Sequence, residues 1–206
     1  MTTAQHNLWT DEMAQSYDCQ WGDHPMHHKV VELTELKSSA VVLDIGCGSG
    51  TVVRAVADAL DSGKVIGVDP TPKMIELARK KTQKSHVAIE FYQSGAEDLP
   101  IENHAVDVVL AVNSLHHWAD VKTGLNEVRR VLTVKGRLVL IDELWDEMPE
   151  YQKPKCYDAE QASQLEAFKS TEVVMAALND RGFQSITKRI YRAQDVAVSV
   201  ITAFVD

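Results

Sequence analysis

Val42-Leu43-Asp44-Ile45 runs directly into Gly46-Cys47-Gly48-Ser49-Gly50, and a helical pattern begins at Thr51. An apolar run, an acidic residue and a turn rich in glycine leave few folds open. Glycine accepts dihedrals that other residues avoid, and without a Cβ it lets a ligand lie against the backbone. The helix that follows presents free N–H groups at its first turn. The arrangement predicts the first strand, turn and helix of a nucleotide-binding βαβ unit.

The remainder of the chain repeats the alternation. After the strand Val41–Ile45, Val52, Val56, Ala59 and Leu60 share one helical face, with Gly63 expected as its C-terminal cap. Val65–Val68 is a second strand, ended by Asp69, and Thr71-Pro72 is an N-cap followed by proline at the first helical position. Met74, Ile75, Leu77 and Ala78 give that helix its apolar face. Val87–Tyr92 and Val106–Val112 read as the third and fourth strands, the fourth apolar enough to be buried on both faces. Val121, Leu125, Val128 and Leu132 form the next stripe, and Leu138–Ile141 the fifth strand. A helix is expected over about 171–180, closed by Arg181-Gly182.

Ile186, Lys188 and Ile190 alternate with Thr187, Arg189 and Tyr191, as on an edge strand, whereas Val196–Val205 is apolar at nearly every position. The connection Arg192–Asp195 is too short for a parallel crossover, so these two strands form an antiparallel hairpin. The final strand then inserts beside the fifth. The expected fold is α/β: a Rossmann-like, seven-stranded, mostly parallel sheet with an antiparallel final strand and helices on both faces.

Residues 1–40 are expected as an N-terminal helical cap, and residues 41–206 as the main domain. Pro25 opens a helix whose apolar positions are Met26, Val30 and Leu33. Trp9, Tyr17, Trp21 and His24 precede it, either packed on the domain or forming a lid over a ligand. His24, His27 and His28 have a spacing that puts three imidazoles on one helix face, as metal ligands or as a solvated polar surface. No carboxylate or cysteine motif accompanies them, so no metal is expected. Residues 144–169 interrupt the rhythm, with a capping box at Asp158 and Gln161 and a set of large side chains, Trp145, Met148, Tyr151 and Tyr157.

A net charge of −9 argues against nucleic acid and against anionic lipid as partners. Cys19, Cys47 and Cys156 are odd in number and far apart, which fits a reducing compartment. The start of the chain lacks a signal-peptide layout, and no apolar run approaches the ~18 residues of a membrane span. A cytoplasmic location is expected. The oligomeric state stays open.

A dinucleotide site would place its third glycine at position 51, which is threonine. The chain instead resembles the class I S-adenosylmethionine-dependent methyltransferases, in particular their ubiquinone/menaquinone-biosynthesis-like branch of small-molecule enzymes. The resemblance rests on motifs in order: VLDIGCGSG (42–50), VIGVDPTPKMIELARKK (65–81), SGAEDLP (94–100), VDVVLAVNSLHHW (106–118) and EVRRVLTVKGRLVLID (127–142). It implies S-adenosylmethionine as cofactor and a small-molecule methyl acceptor. It also implies that Gly46, Gly48, Ser49 and Gly50 lie against the amino-acid portion of the cofactor. Asp44 orients the ammonium end or braces the loop. Asp69 takes the ribose hydroxyls or serves as a turn aspartate before Thr71. Pro70 and Met74 neighbour the adenine. Relatives often carry aspartate before the alanine of the SGAEDLP motif; here that position is Gly95, so the adenine contact falls to the backbone of Ala96 or Glu97, or to the Glu97 carboxylate. Asn113 lies next to the sulfonium carbon.

Methyl transfer is an in-line displacement that asks the protein mainly to position the acceptor and exclude water. A base is needed only where the acceptor loses a proton. His116, with His117 beside it, is the candidate, against a structural role in the same loop. Acceptor recognition is expected from residues 1–40 and 144–169. The alternative function is binding of S-adenosylmethionine or S-adenosylhomocysteine without catalysis.

Overall fold

The computed structural model describes residues 9–82, 84–144, 170–193 and 196–206. Helices α1 (Asp11–Trp21) and α2 (Pro25–Thr34) precede strand β1 (Val41–Ile45). There follow α3 (Thr51–Ala59), β2 (Lys64–Asp69), α4 (Pro72–Lys81), β3 (Ala88–Gln93) and β4 (Val106–Val112). After a 3-10 turn at Leu115–His117 come α5 (Val121–Val131), β5 (Leu132–Glu143), α6 (Thr171–Asp180), β6 (Gln184–Ala193) and β7 (Val196–Phe204). The expected capping box at Asp158 and Gln161 lies outside the described residues, as do Trp145, Met148, Tyr151, Cys156 and Tyr157.

The strands form one sheet in the order β3-β2-β1-β4-β5-β7-β6. The first five run parallel; β7 is antiparallel to both neighbours and inserts between β5 and β6. The expected fold and hairpin are therefore what the chain adopts. Alternation along each strand divides the core in two. Val42 points with Val30, Val53 and Ile75 into the layer under α2, α3 and α4. Leu43 and Ile45 point with Leu125, Val128 and Leu178 into the layer under α5 and α6. A one-residue slip of β1 would exchange these faces, so burial fixes its register. That register places Asp44 and Asp69 at the C-terminal edge, where open α/β sheets bind ligands.

Two local expectations are corrected. Helix α3 ends at Ala59 with Leu60 extended after it, so Gly63 is not its cap. Gly63 instead sits in the turn into β2, where a Cβ would stand 2.3 Å from the Ala40 carbonyl oxygen. Strand β5 begins at Leu132, which caps α5 and pairs with Val106, before a register shift carries the ladder to Arg137–Ile141. The polar stretch Thr133–Arg137 hides this first half from a reading based on apolar runs.

Helices α1 and α2 are tied to the sheet domain by apolar burial and by polar bonds. Met26, Val30 and Leu33 are buried in the core that α3 shares. Thr51 Oγ1 donates to the Gly22 carbonyl, Lys81 pairs with Asp18, and Arg137 donates to the carbonyls of Thr34 and Glu35. Among the described residues, no helix is long and apolar enough to cross a membrane.

Candidate active site

The turn after β1 is pinned from below. The N–H groups of Gly46 and Cys47 both donate to the Val68 carbonyl, at 2.9 and 3.0 Å. Its glycines serve different ends. Gly46 has φ +76°, and a Cβ there would stand 2.5 Å from the Cβ of Ser114, so the residue lets β1 and β4 end close together. Ser114 closes the same junction by donating to the Ile45 carbonyl at 2.6 Å. Gly50 packs toward Phe91 and Ala78 of the next layer. Gly48 differs: at φ +51° a Cβ would meet nothing within 4 Å among the described residues. Of the three, Gly48 is where the backbone is open to a ligand.

Two carboxylates stand beside the turn. Asp69, at the end of β2, is 8% exposed; its Oδ2 accepts from the Gly48 N–H at 3.0 Å and its Oδ1 from the Thr71 N–H at 2.9 Å. Burial raises its pKa, while these backbone bonds pull it down. Asp69 therefore braces the glycine turn against the start of α4, with the Thr71 side chain bonded to it as well, and its acceptor capacity exceeds these three bonds. Asp44 is 2% exposed, and its Oδ1 has no partner among the described residues. Burial, then the neighbouring Asp69, pushes its pKa up to about 7. Asn113, at the end of β4, adopts φ +49° with its N–H donating to the Ile141 carbonyl at 2.8 Å. Its Oδ1 is also buried and unpartnered.

Asp44 and Asn113 line one cleft with the turn, and Asp69 stands behind it, bonded to Gly48. Asp44, Gly46, Gly48, Ser49 and Asn113 form the sheet side of the cleft, and Tyr17 and His27 close it from the cap. The three cap histidines part company. His24 Nδ1 accepts from the Met26 N–H at 3.3 Å as the N-cap of α2, and His28 pairs with Asp23 at 2.7 Å. His27 lines the cleft. His24 and His27 still stand ring against ring, centroids 6.1 Å apart, while capping engages His24 and Asp23 engages His28. Among the described residues, no group of His, Cys, Asp or Glu is arranged to hold a metal ion.

The other expected residues stand outside this cleft. Ala96 is buried in the layer with Trp118. The Glu97 carboxylate accepts from the Asp120 N–H at 3.0 Å and so braces the entry to α5. Met74 is buried on α4, and the Pro70 carbonyl accepts from Gln93 at 3.4 Å. His116, its side chain 8% exposed, has Nδ1 3.3 Å from the Asp142 carboxylate. Its neighbour His117 meets the Trp9 ring edge-on, centroids 5.9 Å apart, so the segment ahead of α1 reaches across to the loop after β4. Asp142 and His27 were not singled out as site residues from the sequence. For Asp142 the available signal was an acid closing an apolar strand, the same pattern that marks Asp69. For His27 nothing distinguished it from His24 and His28.

Residues 43–140 match a family described as a methyltransferase domain. An uncharacterized methyltransferase of Bacillus subtilis, YcgJ, is 34% identical over 121 residues, covering 58% of this chain and 47% of that protein. A demethylmenaquinone methyltransferase of Thermotoga maritima is 31% identical over 140 residues, covering 65% of this chain and 59% of the relative. The chain spans about half the length of the curated relatives it matches. A crystal structure of a SAM dependent methyltransferase from Aquifex aeolicus superposes with a TM-score of 0.71 at 21% identity, covering 96% of this chain and 100% of the other. That likeness extends the shared fold well beyond the matched domain, to both ends of the sheet. Residues 43–140 are thus similar to a methyltransferase domain, and the chain shares its fold with that solved structure.

Proposed function

We propose that the protein transfers a methyl group from S-adenosylmethionine to a small-molecule acceptor. The observation that carries this reading is Asp44. A carboxyl group out of water with an unpartnered oxygen is costly unless a donor or cation completes it. Asp44 faces a cleft whose floor is the open backbone at Gly48, so the site fits a ligand that brings a cationic end close to the main chain.

The bound cofactor supplies a methyl group on a positively charged sulfur, already activated for displacement. The chain's residues then bind and orient. Asp44 accepts hydrogen bonds from the ammonium end, and the buried, unpartnered Oδ1 of Asn113 in the same cleft moves that residue's role from the sulfonium carbon to the same ammonium; Gly46, Gly48, Ser49 and Gly50 shape the turn beside it. Asp69 accepts from the ribose hydroxyls with the lone pairs left by Gly48 and Thr71. Pro70 and Met74 form the apolar side toward adenine. Glu97 accepts from the Asp120 N–H through one oxygen, so both its carboxylate and the backbone of Ala96 stay available for the ring contact. His116 is the proton acceptor when the methyl acceptor must lose one, and Asp142 orients its imidazole.

Acceptor contacts are assigned to the cap, residues 1–40, and to residues 144–169. Relatives named as demethylmenaquinone methyltransferases favour a small-molecule acceptor. The acidic chain is assigned to the cytoplasm, with no nucleic-acid partner. Calorimetry with S-adenosylhomocysteine and with S-adenosylmethionine tests the proposal, and absence of binding at near-millimolar ligand rejects it. A second reading, binding without turnover, draws on Gly95, which stands where relatives often carry aspartate. Methylation of any acceptor excludes it.

A further inference from the structure

We propose that His27 is a third acceptor for the primary ammonium group of the cofactor, joining Asp44 and Asn113, so that helix α2 of the cap takes part in holding the ligand. The proposal rests on the cofactor reading above and extends it to a residue of the cap.

Three buried polar atoms of this cleft have no partner among the described residues: Asp44 Oδ1, Asn113 Oδ1 and His27 Nδ1. The first two are acceptors by chemistry, with Asn113 oriented as the structure places it. His27 Nδ1 is an acceptor by elimination. The backbone of Gly22 acts on the ring as a hydrogen-bonding partner, and the Gly22 N–H is committed to the Asp18 carbonyl. Nδ1 meets no protein group among the described residues while Gly22 faces the ring, so we assign the proton to Nε2, toward the Gly22 carbonyl. Nδ1 keeps the lone pair. Burial first, and then the nearby His24, lower the His27 pKa to about 4, so the ring is neutral at physiological pH and does not repel a cation.

Three acceptors around one cleft match a group with three N–H donors. A primary ammonium is that group, and its single charge complements the one carboxylate among them. A hydroxyl or amide ligand brings fewer donors and would leave buried acceptors unsatisfied. The platform under His27 is firm. Pro25 opens α2, Met26 and Val30 are 1% and 0% exposed, and Thr51 holds Gly22 from the first turn of α3.

The experiment compares two ligands by calorimetry on the full chain. S-adenosylhomocysteine carries the ammonium; 5′-methylthioadenosine keeps the nucleoside and thioether but lacks the amino-acid end. His27→Phe keeps a ring and removes the acceptor, while His27→Gln returns an amide oxygen. The expected result is that His27→Phe weakens S-adenosylhomocysteine about tenfold, leaves methylthioadenosine within about twofold, and that His27→Gln recovers most of the loss. Equal weakening of both ligands assigns His27 to packing and overturns the proposal, as does unchanged affinity for S-adenosylhomocysteine in both variants. Wild-type protein that binds neither ligand overturns the cofactor reading, and the role of His27 with it.

Discussion

The two walls of the cleft are made in different ways. The sheet wall is built at strand ends, from backbone groups, glycines and two buried carboxylates whose places follow from the register of β1, β2 and β4. The cap wall is built from side chains of α1 and α2, which reach the site through burial of Met26 and Val30 and a handful of polar bonds. On the first wall a change can strain the fold itself, as at Gly46, or remove a proposed ligand contact, as at Gly48 and Asp44. On the second it alters what the ligand meets. Mutations on either side separate the two, and the expected effects fall in order from the sheet to the cap.

The largest effect is expected at Gly46. Its positive φ and the 2.5 Å approach to Ser114 make Gly46→Ala both strained and overpacked, at a cost of about 3 kcal/mol in unfolding free energy. Gly48→Ala meets open space and bears only the backbone cost, about 1 kcal/mol, yet places a methyl group where the ligand should lie. Urea unfolding of both, with S-adenosylhomocysteine binding measured beside it, should show the first mainly as lost stability and the second mainly as lost affinity. Equal stability losses would mean that these glycines do not differ as the structure indicates.

The carboxylates come next. Asp69→Ala removes the acceptor for Gly48 and Thr71 and should weaken S-adenosylhomocysteine by ~1.5–3 kcal/mol. Unchanged affinity would reduce Asp69 to a brace. Asp44→Asn should move stability and binding in opposite directions. The folded pKa of about 7 lies above the unfolded value near 4. Between these values the folded state holds a proton that the unfolded state has released, so wild-type stability falls as pH rises from 4 to 7. The asparagine variant lacks that fall. It should match wild type near pH 4 and exceed it by on the order of 2 kcal/mol at pH 8, while binding S-adenosylhomocysteine more weakly. An ammonium ligand favours the ionised form, so wild-type binding near pH 7 should release protons, detectable as a dependence of the calorimetric heat on buffer ionisation enthalpy. A pH-independent stability gap between variant and wild type would contradict the raised pKa.

The sheet wall was legible in the sequence because its determinants are local and repeated: apolar strand, acid at the strand end, turn, helix. Asp44, Gly46, Gly48 and Asn113 fall where that grammar puts them, and so does the hairpin of β6 and β7. The failures come where a tertiary partner decides. Glu97 reads only as an acceptor in its own loop, whereas its bond from the Asp120 N–H, which braces the entry to α5, depends on a contact distant in sequence. His24, His27 and His28 read as one face, although a backbone N–H takes the first, Asp23 the last, and the cleft receives the middle one. Their spacing is the same whichever assignment holds. Only tertiary contacts, the packing of α2 on α3 and the Thr51–Gly22 bond, select among them, and neither leaves a periodic trace.

The smallest effect tests how the cap is held. Lys81 and Asp18 join the end of α4 to α1, but Lys81 is 38% exposed, and such pairs contribute little in water. Lys81→Met should therefore change stability by no more than about 0.5 kcal/mol and leave S-adenosylhomocysteine affinity unaltered. Thr51→Val removes the donor to Gly22 in a buried setting and should cost about 1–2 kcal/mol, with part of that loss appearing as weaker ligand binding through displacement of α2. Thermal unfolding at two salt concentrations distinguishes the two contributions, because only the exposed pair is screened. If Lys81→Met proves the more damaging, the cap is held by charge at its rim. It would then loosen with ionic strength, and His27 would stand on a movable support. If Thr51→Val proves the more damaging, the cap is anchored beside the ligand itself, and the two walls of the cleft share one fixed point in the first turn of α3.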